Sequence, residues 1–158
     1  MSTRWHQAEL HDGDWTPIDV WAPLAYADDV AGRDPALEAA LAYAPPEPVW
    51  QQALRHGDDP QAAAAVVQAY LDVPANKYAD RPRALVQASH RLLAQGKADA
   101  SLAVAGLGAE AFPDSVRLWT MVAYAADAAG DPARARQAAL QAVHLDPDNR
   151  DVRRFLTP

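Results

Sequence analysis

Few residues in this chain are of a type and spacing that could do chemistry. His11-Asp12-Gly13-Asp14, with His6 nearby, is the one local cluster that resembles a metal site. A calcium loop needs further oxygen ligands and a bidentate Glu at its twelfth position, and the segment lacks both. Zinc needs histidines paired along one helix face. The cluster therefore reads as a turn in a polar tail. His56 and His144 stand near expected helix ends, where a cation suits the helix dipole, and His90 falls on a helix face turned away from the apolar stripe. The four serines, Ser2, Ser89, Ser101 and Ser115, stand in no G-x-S-x-G turn. Gly106-Leu107-Gly108 lies inside a helical pattern, the wrong context for a phosphate-cradling loop. Asp28-Asp29 and Asp58-Asp59 belong to helix ends. With no cysteine anywhere, thiol nucleophiles, thiolate metal sites and disulfides are absent. The expectation is a protein that is not an enzyme and that has no metal site and no cofactor.

The elements that carry these residues are helices. Alanine fills 37 of 158 positions, and isoleucine occurs once, at Ile18. That balance favours helix over sheet. A break recurs along the chain: Gly32-Arg33-Asp34-Pro35, Gly57-Asp58-Asp59-Pro60 and Gly130-Asp131-Pro132, with Gly96 a weaker copy. Each reads as a glycine ending one helix, an Asp capping the next, and a Pro at its first position. Helices are expected at about 17–31, 35–44, 47–56, 60–72, 82–95, 98–111, 115–129, 132–145 and 149–156. Thr16 and Asp19 form a capping-box pattern for the first. Ala44-Pro45-Pro46-Glu47-Pro48 is a connector, and residues 73–82 are a longer one with room for a helical turn. Residues 1–15 show no period and are expected to be an irregular tail.

The back half repeats. Gly96 and Gly130 are 34 residues apart, as are Pro113 and Pro147. In the unit starting at Val116, Trp119 is the large aromatic, with Val122 and Ala123 following it, then Ala135 and Ala142 on the second helix. In the preceding unit Leu85, Ala88, Ser89 and Leu92 stand on the first helix and Ser101, Ala105 and Gly108 on the second. This pattern resembles the tetratricopeptide repeat (TPR), a 34-residue pair of antiparallel helices, over about residues 82–149. Ala126 and Ala139 depart from it, standing where the motif prefers aromatics. The resemblance implies an all-α fold, antiparallel helix pairs stacked as a short right-handed TPR-like α-solenoid. Residues 16–80 would hold degenerate or TPR-like hairpins, residues 81–149 two repeat units, and residues 150–158 a capping helix. Apolar residues at helical spacing, including Leu102, Val104, Leu107, Phe112, Leu118, Leu140, Val143 and Leu145, supply the stripes such stacking buries. Trp21, Trp50 and Trp119 are expected in the core.

TPR arrays present a concave groove lined by the first helix of each pair. Carried onto this chain, the groove positions are Arg83, Val86 and His90, then Arg117, Thr120, Tyr124 and Asp127, with Arg154 following from the capping helix. The resemblance implies that they bind a partner peptide, C-terminus or helix. Arginine chelates carboxylates with two bonds, so an acidic ligand fits. The Lys and Asn clamp of chaperone-binding relatives is missing, since Val86 and His90 stand there. Trp5 and Trp15 form a second candidate surface, either folded back on the helices or exposed to a partner.

Charge narrows the partners. The formal net charge is −7, which disfavours general nucleic-acid binding. It is unevenly spread, with 13 acids against 4 bases in residues 1–80 and 8 against 10 in residues 81–158. No apolar run is long enough to span a membrane, and residues 1–10 do not read as a secretion signal. A cytoplasmic adaptor or assembly factor is the leading expectation. A dedicated chaperone, subunit or inhibitor of one larger bacterial secretion or antagonism protein is the alternative, and a helical enzyme or metal-binding protein the third. Homo-oligomerisation is also open.

Overall fold

The structure, a computed structural model, describes residues 22–23 and 25–156. It is all-α: 71% helix, with no strand among the described residues. The chain divides into two compact units, Met1–Ala44 and Pro45–Pro158.

The first unit holds α1 (Tyr26–Val30) and α2 (Pro35–Ala42). The expected helix over 17–31 is corrected here. Ala22 and Pro23 are not helical, and α1 is only five residues long. Pro23 disfavours helical backbone at the residue before it and cannot donate an intrahelical bond. The Thr16 cap, Trp21, the tail with its His6/His11 cluster, and both Trp5 and Trp15 lie outside the described residues.

The second unit contains α3 (Val49–Arg55), α4 (Pro60–Asp72), α5 (Arg81–Ala94), α6 (Ala98–Ala111), α7 (Val116–Ala128) and α8 (Pro132–Leu145). Short 3₁₀ turns occupy Pro74–Tyr78 and Arg153–Phe155. The six helices form three pairs. The first helices α3, α5 and α7 pack in a row, α4 packs on α6, and α6 also packs on α7. The expected capping helix over 149–156 is reduced to the turn at Arg153–Phe155. Asn149 and Asp146 use their side chains to bind nearby backbone amides, Asp151 N and Asp148 N, at 3.1 Å each. Such bonds hold the backbone in turns and compete with helix.

The recurring break works as its chemistry demands. Asp34, Asp59 and Asp131 each accept a backbone amide of the helix they open, and Asp80 does the same for Arg83 at the start of α5. Gly96 and Gly130 have φ of 75° and 80°. After α7 the Asp131 amide reaches back to Ala126 O at 2.8 Å, and after α5 the Lys97 amide reaches Leu92 O at 3.0 Å. These six-residue closures satisfy carbonyls the helix leaves open. Gly57 differs: it is buried and is not among the glycines with positive φ. A Cβ there would lie 3.1 Å from Leu92 and Lys97 side-chain atoms, so a larger residue would have to push those side chains aside.

The core is made of small residues. Ala88, Ala105, Ala123, Ala139 and Ala142 are fully buried, beside Leu85, Leu92, Val104 and Leu118. On α8 the buried face is Ala135, Ala138, Ala139 and Ala142, which is the i, i+3, i+4, i+7 spacing of one helix side. Leu140 falls off that face and is 54% exposed, contrary to the expected stripe. Trp50 and Trp119 are half-buried against the core, not enclosed by it. Trp119 keeps its indole N–H on Pro113 O at 2.7 Å. Ser89 and Ser101 are fully buried where α5 meets α6. Their hydroxyls lie 2.8 Å apart, and each also reaches the other residue's carbonyl, at 2.8 and 3.1 Å.

Candidate functional site

Residues four and three apart on a helix share a face, and this rule builds the floor of a groove in the second unit. On α5 it aligns Arg83, Val86, Gln87 and His90. On α7 it aligns Arg117, Thr120 and Met121. These residues line a groove of about 790 Å³, and the segment after α8, with Asp146, Asp148, Asn149, Arg150 and Asp151, forms its wall.

The wall is tied to the floor. Asn149 is nearly buried, and its Nδ2 donates to Thr120 Oγ1 at 3.1 Å. Tyr124 donates its hydroxyl to Asp151 O at 3.1 Å. Val152, fully buried, anchors the segment in the core. Phe155 packs edge-on to Tyr124 with centroids 5.3 Å apart. The Arg154 guanidinium lies over both rings at 4.5 Å and pairs with Asp127 at 3.4 Å.

The eight groove positions expected from the sequence thus separate into two groups. Arg83, Val86, His90, Arg117 and Thr120 line the groove. Tyr124, Asp127 and Arg154 are not among its lining residues, and they hold the chain's own C-terminal turn against α7. Gln87, Met121 and the whole wall were not anticipated. Asn149 carried a signal, an Asn two residues beyond the Asp-Pro that ends α8, but its reach to Thr120 depends on how α7 and α8 cross.

Charge on the floor has one sign. Neither α5 nor α7 contributes a carboxylate to the groove lining, whereas Arg83 and Arg117 do line it. Their guanidinium groups enter no ion pair among the described residues. The carboxylates are confined to the wall, where Asp146 is already occupied by the amide of Asp148. A smaller hollow of about 430 Å³ adjoins, lined by Leu54 of α3 and by Gln87, His90, Arg91, Ala94 and Gln95. Gln87 and His90 line both hollows, so the two lie side by side along α5.

Among the described residues no group of three or more His, Asp or Glu is placed to hold a metal ion. No buried side-chain polar atom among them lacks a hydrogen-bond partner. Among the described residues the pKa is perturbed at Tyr70 of α4, outside the groove lining. Burial raises it above the usual 10.0, Arg81 opposes the shift, and Asp80 adds to it. His56, His90 and His144 are all exposed. What the groove offers chemically is a floor with Arg83, Arg117, amide and hydroxyl groups and the apolar Val86, Val116 and Met121, facing a wall that carries Asp146, Asp148 and Asp151 beside Arg150.

No protein-family model matches this chain, and no curated protein matches it. Among the described residues no helix is long and apolar enough to cross a membrane.

Proposed function

We propose that the second unit is a TPR-like, non-enzymatic interaction module of the cytoplasm, an adaptor or assembly factor that holds an extended acidic segment of a partner protein in its trough. The observation that carries this reading is the arginine pair Arg83 and Arg117. The two line one groove on adjacent packed helices, without carboxylate partners among the described residues. An arginine fork presents two parallel N–H donors to a carboxylate, which fixes orientation as well as charge. A groove floored by two helices and open to solvent suits a chain better than a compact metabolite.

The test is fluorescence anisotropy with labelled 12-residue peptides, one set ending in acidic residues and a free carboxylate, one set neutral, and one set basic. Acidic peptides are expected to bind. Arg117→Glu is expected to weaken them by at least about tenfold, since it replaces an attraction with a repulsion worth roughly 1.4 kcal/mol or more. Equal binding of all three sets, or an unaffected Arg117→Glu variant, overturns the reading.

A further inference from the structure

Arg91 is unlike the other arginines of the trough. Its guanidinium carbon sits 3.9 Å from the centroid of the Trp50 indole, the closest of the cation–ring contacts among the described residues. Trp50 is itself held against the core of the second unit. A guanidinium stacked on a ring keeps its N–H donors in its own plane, pointing outward past the ring edge. Arg91 enters no ion pair among the described residues, and no carboxylate lines the hollow it borders. The stacking has already restrained the side chain, so a carboxylate binding there immobilises little more.

We propose that Arg91, laid on Trp50, is a second carboxylate receptor, and that the trough selects a partner segment carrying two acidic residues at a fixed separation. This rests on the acidic-peptide reading above and adds to it. The two hollows are neighbours on α5 and share Gln87 and His90 among their lining residues. Arg83 and Arg91 are eight residues apart on one helix, about 12 Å along its axis at 1.5 Å per residue. An extended chain covers that distance in roughly four residues at 3.3 Å each. The expected ligand pattern is therefore an acidic residue, two to four intervening residues, and a second acidic residue. Positive charge runs the length of the floor, from Arg117 and Arg83 to Arg91, and this favours such a segment over a neutral or basic one.

The experiment is selection from a phage-displayed library of random 12-residue peptides on the full chain. It is run in parallel on the Arg91→Ala, Arg91→Lys and Arg117→Glu variants, each checked for an unchanged thermal melt. The unmodified protein is expected to enrich paired acidic residues three to five positions apart. Arg91→Ala is expected to keep one acidic position and lose the other, weakening the best doubly acidic peptide about tenfold while leaving singly acidic peptides unchanged. Arg91→Lys should not restore the second position, because an ammonium offers no planar fork. If the unmodified protein enriches single acidic residues, or Arg91→Ala retains the pair, this proposal falls and the acidic-peptide reading stands. If nothing acidic is enriched, both fall.

Discussion

Single side chains in this protein do different work on the surface and in the core. At the surface the useful arginines are those without carboxylate neighbours. Arg55 pairs with Glu47 and Lys97 with Asp58, and these exposed pairs contribute little. Arg83, Arg91 and Arg117 keep their donors for something else. In the core, Ser89 and Ser101 satisfy each other without water. Ser89→Ala removes one hydroxyl and leaves Ser101 with only the Ser89 carbonyl as partner. A loss of about 1 kcal/mol in urea unfolding is expected. The double variant should cost less than the two single losses combined, with a coupling on the order of 0.5–1 kcal/mol. Strict additivity in that cycle would show that the two hydroxyls do not act as a pair.

Helices and their joints were the most legible level of the sequence, for a physical reason. Caps and stops are local, so Asp34, Asp59 and Asp131 announce the helices they open, and Gly96 and Gly130 announce turns that need positive φ. The limits were also physical. Pro23 was overlooked as a breaker inside an otherwise regular pattern. The segment after α8 looked helical by composition but is held in turns by Asp146 and Asn149. Leu140, Val143 and Leu145 form an apolar stripe by spacing, whereas α8 buries its alanine side and leaves Leu140 exposed. Gly57 sits in a turn as its sequence context predicts, but without positive φ, and its tight contact with Leu92 and Lys97 is visible only in the tertiary packing. Five groove positions were legible because the TPR resemblance places them on the first helix of each pair. Tyr124 and Asp127 have the same placement and are taken up by the C-terminal turn. The glycines can be told apart by measurement. Gly108 has no room, since an added Cβ would lie 2.9 Å from Leu118 and 3.2 Å from Leu85 side-chain atoms. Gly108→Ala is expected to cost about 1–3 kcal/mol through overpacking. Gly130 has open space but the wrong handedness for alanine, so Gly130→Ala should cost only about 1–2 kcal/mol. A Gly108→Ala variant that melts with the unmodified protein would contradict the packing described for α6 and α7.

For the molecule as a whole, charge and alanine content set the behaviour. The chain is acidic overall, yet the floor of the trough is cationic, so binding there should weaken as salt rises and the screening length shrinks. The wall should respond separately. Asn149→Ala removes its bonds to Thr120 and Asp151 and should cost about 1–2 kcal/mol. Faster hydrogen exchange should then appear across residues 146–151, with α5 unchanged. Protection that stays uniform would mean that Val152 alone secures the segment. The abundance of alanine has a further consequence through the serine pair. Methyl groups look alike to one another, so a helix that buries mostly alanine could slide a turn along its neighbour and find contacts nearly as good. Two hydroxyls that meet at only one setting remove that degeneracy, because any slipped arrangement of α5 and α6 strands both of them in a dry interior. In a molecule built from interchangeable small pieces, Ser89 and Ser101 serve as an alignment mark.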